Sequence, residues 1–297
     1  MVRRASAADL MLLLTVSIWA LNFTVSKYIL DSGFRPLSYS AVRYSAAALL
    51  FVVITYPRER SFRIERRDLP LVTLAVGLLL VNQLSFVYAL KFTTATTAAL
   101  LFGTLPIFTA LISRFVGIER LGNRFWIAAT LSFAGVALVT LGSGKGVSAN
   151  VKGDVLAVLG AATWGGYSVA ISPLMRRYSP FRLSAVFLFA VSIALLLLGS
   201  RQLETQRYNL GWLAWAGFAF AVLGPLVLTN LLWFTAIDRV GPSRAALFAN
   251  LQPFLAAIIA LLLLSEKLTR LQVAGGLAIA AGIVVSRGRQ PALEPSE

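Results

Sequence analysis

The sequence predicts an all-α integral membrane protein of ten transmembrane helices, arranged as two inverted five-helix repeats. Three observations carry this: apolar runs of spanning length, a shortage of charge, and a pattern that recurs halfway along the chain. The 297 residues are 58% hydrophobic and 13% charged, with a mean hydropathy of +0.79. Soluble domains carry roughly a quarter charged residues, because their surfaces face water. So little charge on so long a chain makes lipid the solvent for most of the surface.

A helix needs roughly 20 mostly apolar residues to cross about 30 Å of hydrocarbon, and it bonds its backbone groups within its own segment. Such runs lie near 9–30, 37–56, 69–90, 95–117 and 123–141, then near 154–175, 182–200, 211–237, 242–265 and 270–286. Turn formers separate them: Gly33 and Pro36, Pro57, Gly142 to Gly146, Pro180, and Gly241-Pro242. The first run follows Arg3 and Arg4 as a leader would. It is too long for a signal peptide core and further spans follow, so it reads as the first helix. Residues 9–141 form the first repeat, 154–286 the second, and 287–297 a polar cytoplasmic tail.

With the N-terminus inside, roughly 16 basic residues fall in the cytoplasm against roughly 8 outside, the bias that sets topology in inner (plasma) membranes. Both termini are therefore expected in the cytoplasm, in a membrane of the bacterial inner type. Trp212, Trp215 and Tyr208 fit an aromatic belt at the outer interface. The net charge of +15 does not point to nucleic acid, because that needs basic residues gathered on a soluble face. Here they sit in short runs between apolar segments, as at Arg58-Glu59-Arg60 and Arg66-Arg67. The expected partners are membrane lipids and a small-molecule substrate, with no nucleic acid; the oligomeric state stays open, a monomer included.

There is no cysteine and no histidine. Disulfides, thiol nucleophiles, Cys/His zinc sites and imidazole acid–base chemistry are excluded. No mid-span carboxylate exists to complete a nucleophile–base pair. Neither an enzyme nor a cofactor or metal site is expected.

The two halves superimpose by inspection. Asp9 to Trp19 matches Asp154 to Trp164, and Ser40-Ala41-Val42 matches Ser184-Ala185-Val186. Ala98-Ala99-Leu100, Pro106, Glu119-Arg120-Leu121 and Gly135 match Ala245-Ala246-Leu247, Pro253, Glu266-Lys267-Leu268 and Gly282 at a single offset. Five spans is an odd number, so the second half enters the membrane from the opposite side. Inverted repeats of this kind recur in secondary transporters, whose sites lie near the midplane between the halves. Duplication in a channel or membrane enzyme is the competing explanation for the repeat, and a channel or scaffold is the lesser functional alternative.

These residues resemble the drug/metabolite transporter superfamily, specifically its EamA-type ten-helix exporters. The Trp19 and Trp164 segments carry the likeness, with the Pro106…Glu119-Arg120-Leu121 and Pro253…Glu266-Lys267-Leu268 pairs. The resemblance covers nearly the whole chain and implies transport of amino acids, other metabolites or sugar nucleotides, the aromatic amino acid exporters standing nearest. Small multidrug exporters, distant relatives, rely on a buried Glu in their first helix, which this sequence lacks.

Depth selects candidate site residues. At 1.5 Å per residue, Trp19 and Trp164 each lie roughly 15 Å into their spans, reaching the midplane from opposite sides. Asn22 and Tyr167 lie one turn further on the same faces. Gln83 and Asn230 hold matching positions, with Phe86 and Trp233 one turn on. Buried amides need partners, so they face a cavity or bond a neighbouring helix. Asn82 fits the second role, and Asn250 replaces Gly103 of the first half. Pro106 and Pro253 are expected to kink their spans, displacing bonds to Phe102 and Ala249 and shaping or hinging the cavity; Gly224-Pro225 reads as a packing kink.

Arg43 is the one strongly embedded charge, roughly 10 Å from the outer end of its span. It is a candidate for a substrate carboxylate, with Tyr44 beside it, or for snorkelling to headgroups. Phe187 holds the matching position. Without a mid-membrane acid or histidine for a proton relay, a facilitative exporter of small amphipathic metabolites is expected, foremost aromatic or apolar amino acids. A carrier for sugar nucleotides, organic cations or drugs is the alternative. Small residues every four positions, at Ala274, Ala278 and Gly282 and at Ala128 and Ser132, read as scaffold packing ridges.

Overall fold

The computed structural model describes residues 7–142, 150–255, 258–259 and 269–286, and among them every regular element is helical. Eight helical segments are long and apolar enough to cross a membrane, from Ala7–Asp31 to Trp212–Val240, and Arg270–Ser286 is a shorter apolar helix. They coincide with nine of the ten predicted spans. The ninth prediction, 242–265, runs partly outside the described residues, as do Glu266 and the tail.

The first half comprises α1 (Ala7–Asp31), α2 (Pro36–Glu59), α3 (Leu69–Phe92), α4 (Ala95–Phe102), α5 (Leu105–Phe115) and α6 (Asn123–Gly142). The second comprises α7 (Val151–Leu174), α8 (Pro180–Glu204), α9 (Trp212–Val222), α10 (Thr229–Val240), α11 (Pro242–Ala249) and α12 (Arg270–Ser286). Local chemistry sets the boundaries. Thr94, Asn150 and Ser179 cap α4, α7 and α8 by accepting from the backbone N–H groups of Thr97, Gly153 and Arg182, which satisfies donors the helix leaves open. Gly33, at φ +100°, turns the chain from α1 into α2, a conformation that side chains resist.

The proline pair behaves differently from the sequence expectation. The fourth span does not kink at Pro106; it stops. Residues 103–104 leave the helix, and Pro106 stands in the first turn of α5, where a missing N–H breaks no bond. The ninth span does the same: residues 250–251 turn, and Pro253 follows at the start of a resumed helix. In the eighth span, Gly224-Pro225 lies in a π-helical stretch, Leu223–Leu228, joining α9 to α10.

Each helix takes its principal partner from the other half: α1 with α10, α2 with α8, α3 with α7, α5 with α7, α11 with α5, and α6 with α12. The α6–α12 pair is the tightest, because a Cβ at Gly135 would fall 2.6 Å from the Gly275 carbonyl oxygen. The α12 seam runs through Gly275, Ile279 and Gly282, whereas Ala274 is exposed. The expected ridge is therefore displaced by one position at Ala274 and Ala278, though Gly282 does pack on Ala128 and Ser132.

Because α1 runs from Asp9 to Lys27, the two faces are called the Asp9 side and the Lys27 side. On the Asp9 side, four first-half carboxylates reach second-half partners. Asp9 pairs with Arg244 at 3.0 Å, Glu59 with Arg182 at 2.8 Å, and Asp68 with Arg177. Tyr178 also donates to Asp68 at 2.7 Å. Glu119 accepts from the Ser243 backbone N–H at 3.3 Å and from its hydroxyl. On the Lys27 side no ion pair joins the halves among the described residues: Gln206 and Gln202 accept from the backbone N–H groups of Arg35 and Leu37 at 2.8 and 2.9 Å, and the Arg35 guanidinium donates to the Thr205 hydroxyl.

Candidate functional site

Two indoles meet at the centre of the molecule. Trp19 from mid-α1 and Trp164 from mid-α7 pack edge to face, with ring centroids 5.2 Å apart and planes at 87°. Trp233 lies 4.8 Å from Trp19. Trp19 Nε1 donates to Thr229 Oγ1 at 3.0 Å, and Thr229 in turn donates to the Pro225 carbonyl at 2.5 Å. The π-helical stretch is thereby tied to the tryptophan that faces it.

Above this pair, toward the Lys27 side, lies a cavity of about 90 Å³. Since a water needs roughly 10–15 Å³ on this measure, the space suits a small molecule. Seven of the eleven predicted site residues line it: Trp19, Asn22, Arg43, Tyr44, Gln83, Phe86 and Trp164. Arg43 stands in the first third of α2, toward the Lys27 side, and is only 2% exposed. It donates from Nη1 to Tyr39 Oη at 3.1 Å and from Nη2 to Gln83 Oε1 at 2.9 Å. Gln83 passes the chain on, donating to Ser40 Oγ at 2.9 Å. The guanidinium carbon also lies 4.8 Å from the Tyr39 ring and 5.6 Å from the Tyr44 ring, within cation–π range. Arg43 does not snorkel; neighbouring helices hold it inward.

The other four predicted residues are kept out of the cavity wall. Tyr167 and Trp233 are fully buried beneath the indole pair. Trp233 donates to Ser168 Oγ at 3.3 Å, and Tyr167 packs 5.9 Å from Phe187 and 6.2 Å from Phe234. Asn230 spends its amide on the Leu226 carbonyl at 2.5 Å. Asn250 is buried, with neither side-chain polar atom partnered among the described residues. The cause is the inverted repeat. Asn22, Arg43, Gln83 and Phe86 surround open space on the Lys27 side. Their equivalents Tyr167, Phe187, Asn230 and Trp233 fill the matching space on the Asp9 side. Pro106 and Pro253 also stand outside the wall, but their neighbours Leu105 and Gln252 are in it.

The cavity takes further residues that sequence reasoning passed over: Phe23, Asn82, Phe102, Leu105, Pro225, Leu226 and Gln252. Asn82 does make its expected packing bond, to the Gly160 carbonyl at 2.9 Å, and faces the cavity as well. Gly224-Pro225 was the available signal for the π-helical wall, since such bulges recur at functional sites. Among the described residues, Arg43 is the only charged one in the lining. No group of three or more metal-ligating side chains occurs among the described residues.

Outside the spans, burial holds the Glu119 carboxyl above its ordinary value, outweighing the bonds it accepts from Ser243 and Ser113. That puts a titratable group at a contact between the halves.

An all-helical membrane protein that winds two like halves around a small central cavity has the architecture of a transporter. The chain matches the EamA-like transporter family over residues 6–141 and 151–288, and it belongs to that family. It is 29% identical to an "Uncharacterized transporter" of Archaeoglobus fulgidus, over 96% of this chain and 99% of the relative. It is 25% identical to a "Probable amino-acid metabolite efflux pump" of Salmonella typhimurium, over 92% of each. A solved crystal structure shares the fold at TM-score 0.79 and 17% identity, covering 95% of this chain and 98% of its own.

Proposed function

We propose that the protein is a facilitative secondary transporter that exports small amphipathic metabolites, foremost amino acids with aromatic or apolar side chains, by alternating access. The carrying observation is the polarity of the cavity: Arg43 and Gln83 stand at one end and the Trp19–Trp164 pair at the other. A carboxylate suits the guanidinium, which presents donors in a fixed fork. An apolar or aromatic side chain suits the indoles. The name of the Salmonella relative, "Probable amino-acid metabolite efflux pump", agrees with this class.

The repeat supplies the second state. Opening the Asp9 side would unpack Tyr167, Phe187, Asn230 and Trp233 while their first-half equivalents close, with the breaks before Pro106 and Pro253 serving as hinges. The Asp9 side is assigned to the cytoplasm from the basic bias of its loops, in a membrane of the bacterial inner type. A sugar-nucleotide carrier fits less well, because several deep cations would be needed for phosphates and the lining holds Arg43 alone.

Purified protein in liposomes tests this. Labelled phenylalanine or leucine should exchange at least about tenfold faster than in empty liposomes, the scale of a 1.4 kcal/mol change in barrier. Equal rates across a panel of amino acids would remove the substrate class.

A further inference from the structure

We propose that the cavity is an organic-anion site: it reads a carboxylate through Arg43, leaves an ammonium unread, and so carries a net negative charge across the membrane. This deepens the transport reading above and rests on it.

The first argument is charge balance. A guanidinium stays protonated in proteins, so Arg43 is a permanent cation, buried at a depth where charge is costly unless countered. Its observed partners, Tyr39 and Gln83, are neutral. No ion pair joins Arg43 to a carboxylate among the described residues. The second argument is the balance of donors and acceptors. Among the lining residues, the buried side-chain atoms without a partner are Arg43 Nε and Trp164 Nε1, and both are donors. Two wall carbonyls that an ammonium could seek are taken. Pro225 accepts from Thr229 and Leu226 accepts from Asn230. With no acid among the described residues of the wall, an ammonium meets neutral amides and aromatic faces, no countercharge, and the repulsion of Arg43. An anion meets a countercharge and spare donors.

Net charge has a consequence for direction. Moving one elementary charge through 100 mV changes an equilibrium by about fifty-fold. With the Asp9 side in the cytoplasm, an interior-negative potential drives an anion outward. Export then needs no coupled proton and no acidic relay in the spans.

Three ligands sharing a phenyl ring separate the readings: anionic 3-phenylpropionate, zwitterionic phenylalanine and cationic phenethylamine. Full-length protein in liposomes adsorbed on a supported electrode membrane reports charge movement after a concentration jump. Diffusion of the protonated acid through lipid carries no charge and does not register. The expected result is a current of negative charge for 3-phenylpropionate, about tenfold or more above the other two, the equivalent of one decade in affinity. Arg43→Gln should lose it and Arg43→Lys retain part of it. Tryptophan fluorescence titration of the unmodified protein gives the same test without a variant: 3-phenylpropionate should bind at least as tightly as phenylalanine, and phenethylamine about tenfold or more weakly. Exchange of labelled phenylalanine without any 3-phenylpropionate current would overturn the anion assignment and leave the transport reading standing. Equal currents for phenethylamine and 3-phenylpropionate would overturn the assignment too. Absence of both exchange and current would overturn the two readings together.

Discussion

Trp19 and Trp164, equivalent residues of the two repeats, touch edge to face at 5.2 Å, so the symmetry axis of the fold passes through an aromatic contact. Such pairs are worth about 0.5–1.5 kcal/mol beyond the area they bury. Trp19→Leu, Trp164→Leu and the double variant should therefore show a coupling of that size in a double-mutant cycle, read from chemical unfolding in detergent. Trp19→Leu should be the costlier single change, because it alone removes an indole hydrogen bond, the one donated to Thr229 at 3.0 Å. Strict additivity would mean that the two rings are neighbours without interaction.

The α6–α12 seam leaves no space for side chains. A Cβ at Gly135 would lie 2.6 Å from the Gly275 carbonyl oxygen, and one at Gly282 would lie 2.7 Å from that of Ala128. Gly135→Val should then lower stability by about 3 kcal/mol, at the upper end of overpacking penalties, and reduce the amount of protein recovered from membranes. Gly77 meets nothing within 4 Å and lies inside α3, so Gly77→Ala should be neutral or stabilising by up to about 1 kcal/mol. If Gly135→Val accumulates and melts like Gly77→Ala, the seam does not carry the fold.

The spans were legible because each is a single long apolar run, and the lipid solvent makes that run sufficient to specify a helix. The contact of Trp19 with Trp164 was legible because inversion sends equal depths from opposite faces to one plane. What the sequence hid is conformational. Tyr167, Asn230 and Trp233 match cavity residues in the repeat, yet they are packed away from the cavity, on the side that the proposed alternating access would open. Pro106 was read as a kink, since proline within an apolar run looks the same whether the helix bends or restarts. The two turn residues before it, Gly103 and Thr104, carry the restart. Leu226 and Phe102 carry no polar mark and line the cavity only through the course of their backbones.

Glu119 provides a pH-dependent term at the contact between halves. Its carboxyl is held above the ordinary value of 4.5, first by desolvation. The folded state therefore binds this proton more tightly than the unfolded chain does. The stability it contributes is complete below the ordinary value and is lost as pH rises through the folded one. Glu119→Gln removes the titration. The melting temperature of the unmodified protein, relative to that variant, should fall as pH is raised from about 4.5 toward 7. A difference that stays constant or grows with pH would contradict the assigned sign. Gly241, at φ +82°, lies under the same carboxylate, and a Cβ there would collide with it. Gly241→Ala should thus lower stability at every pH.

Asp9–Arg244, Glu59–Arg182 and Asp68–Arg177 all join the first half to the second on the Asp9 side. The Lys27-side links at Arg35 and Leu37 use neutral amides. Ion pairs with one partner partly exposed are worth up to about 1 kcal/mol each. Their number on one face biases the protein toward keeping that face shut, which agrees with a cavity lying toward the other. Replacing Asp9 and Asp68 together by Asn should weaken closure by about 1–2 kcal/mol and multiply the population open to that side by roughly 5–30. The chain has no cysteine, so one introduced at Ala170, buried at 6% exposure in α7, is an unambiguous probe. A maleimide that cannot cross lipid should label Ala170→Cys in inside-out vesicles faster by the same factor in the Asp9→Asn, Asp68→Asn background. Replacing the Lys27-side acceptors Gln202 and Gln206 together by Ala, which removes both of those links, should leave that rate unaltered. Equal labelling with and without the two aspartates would show that these pairs anchor the helices without holding the face closed.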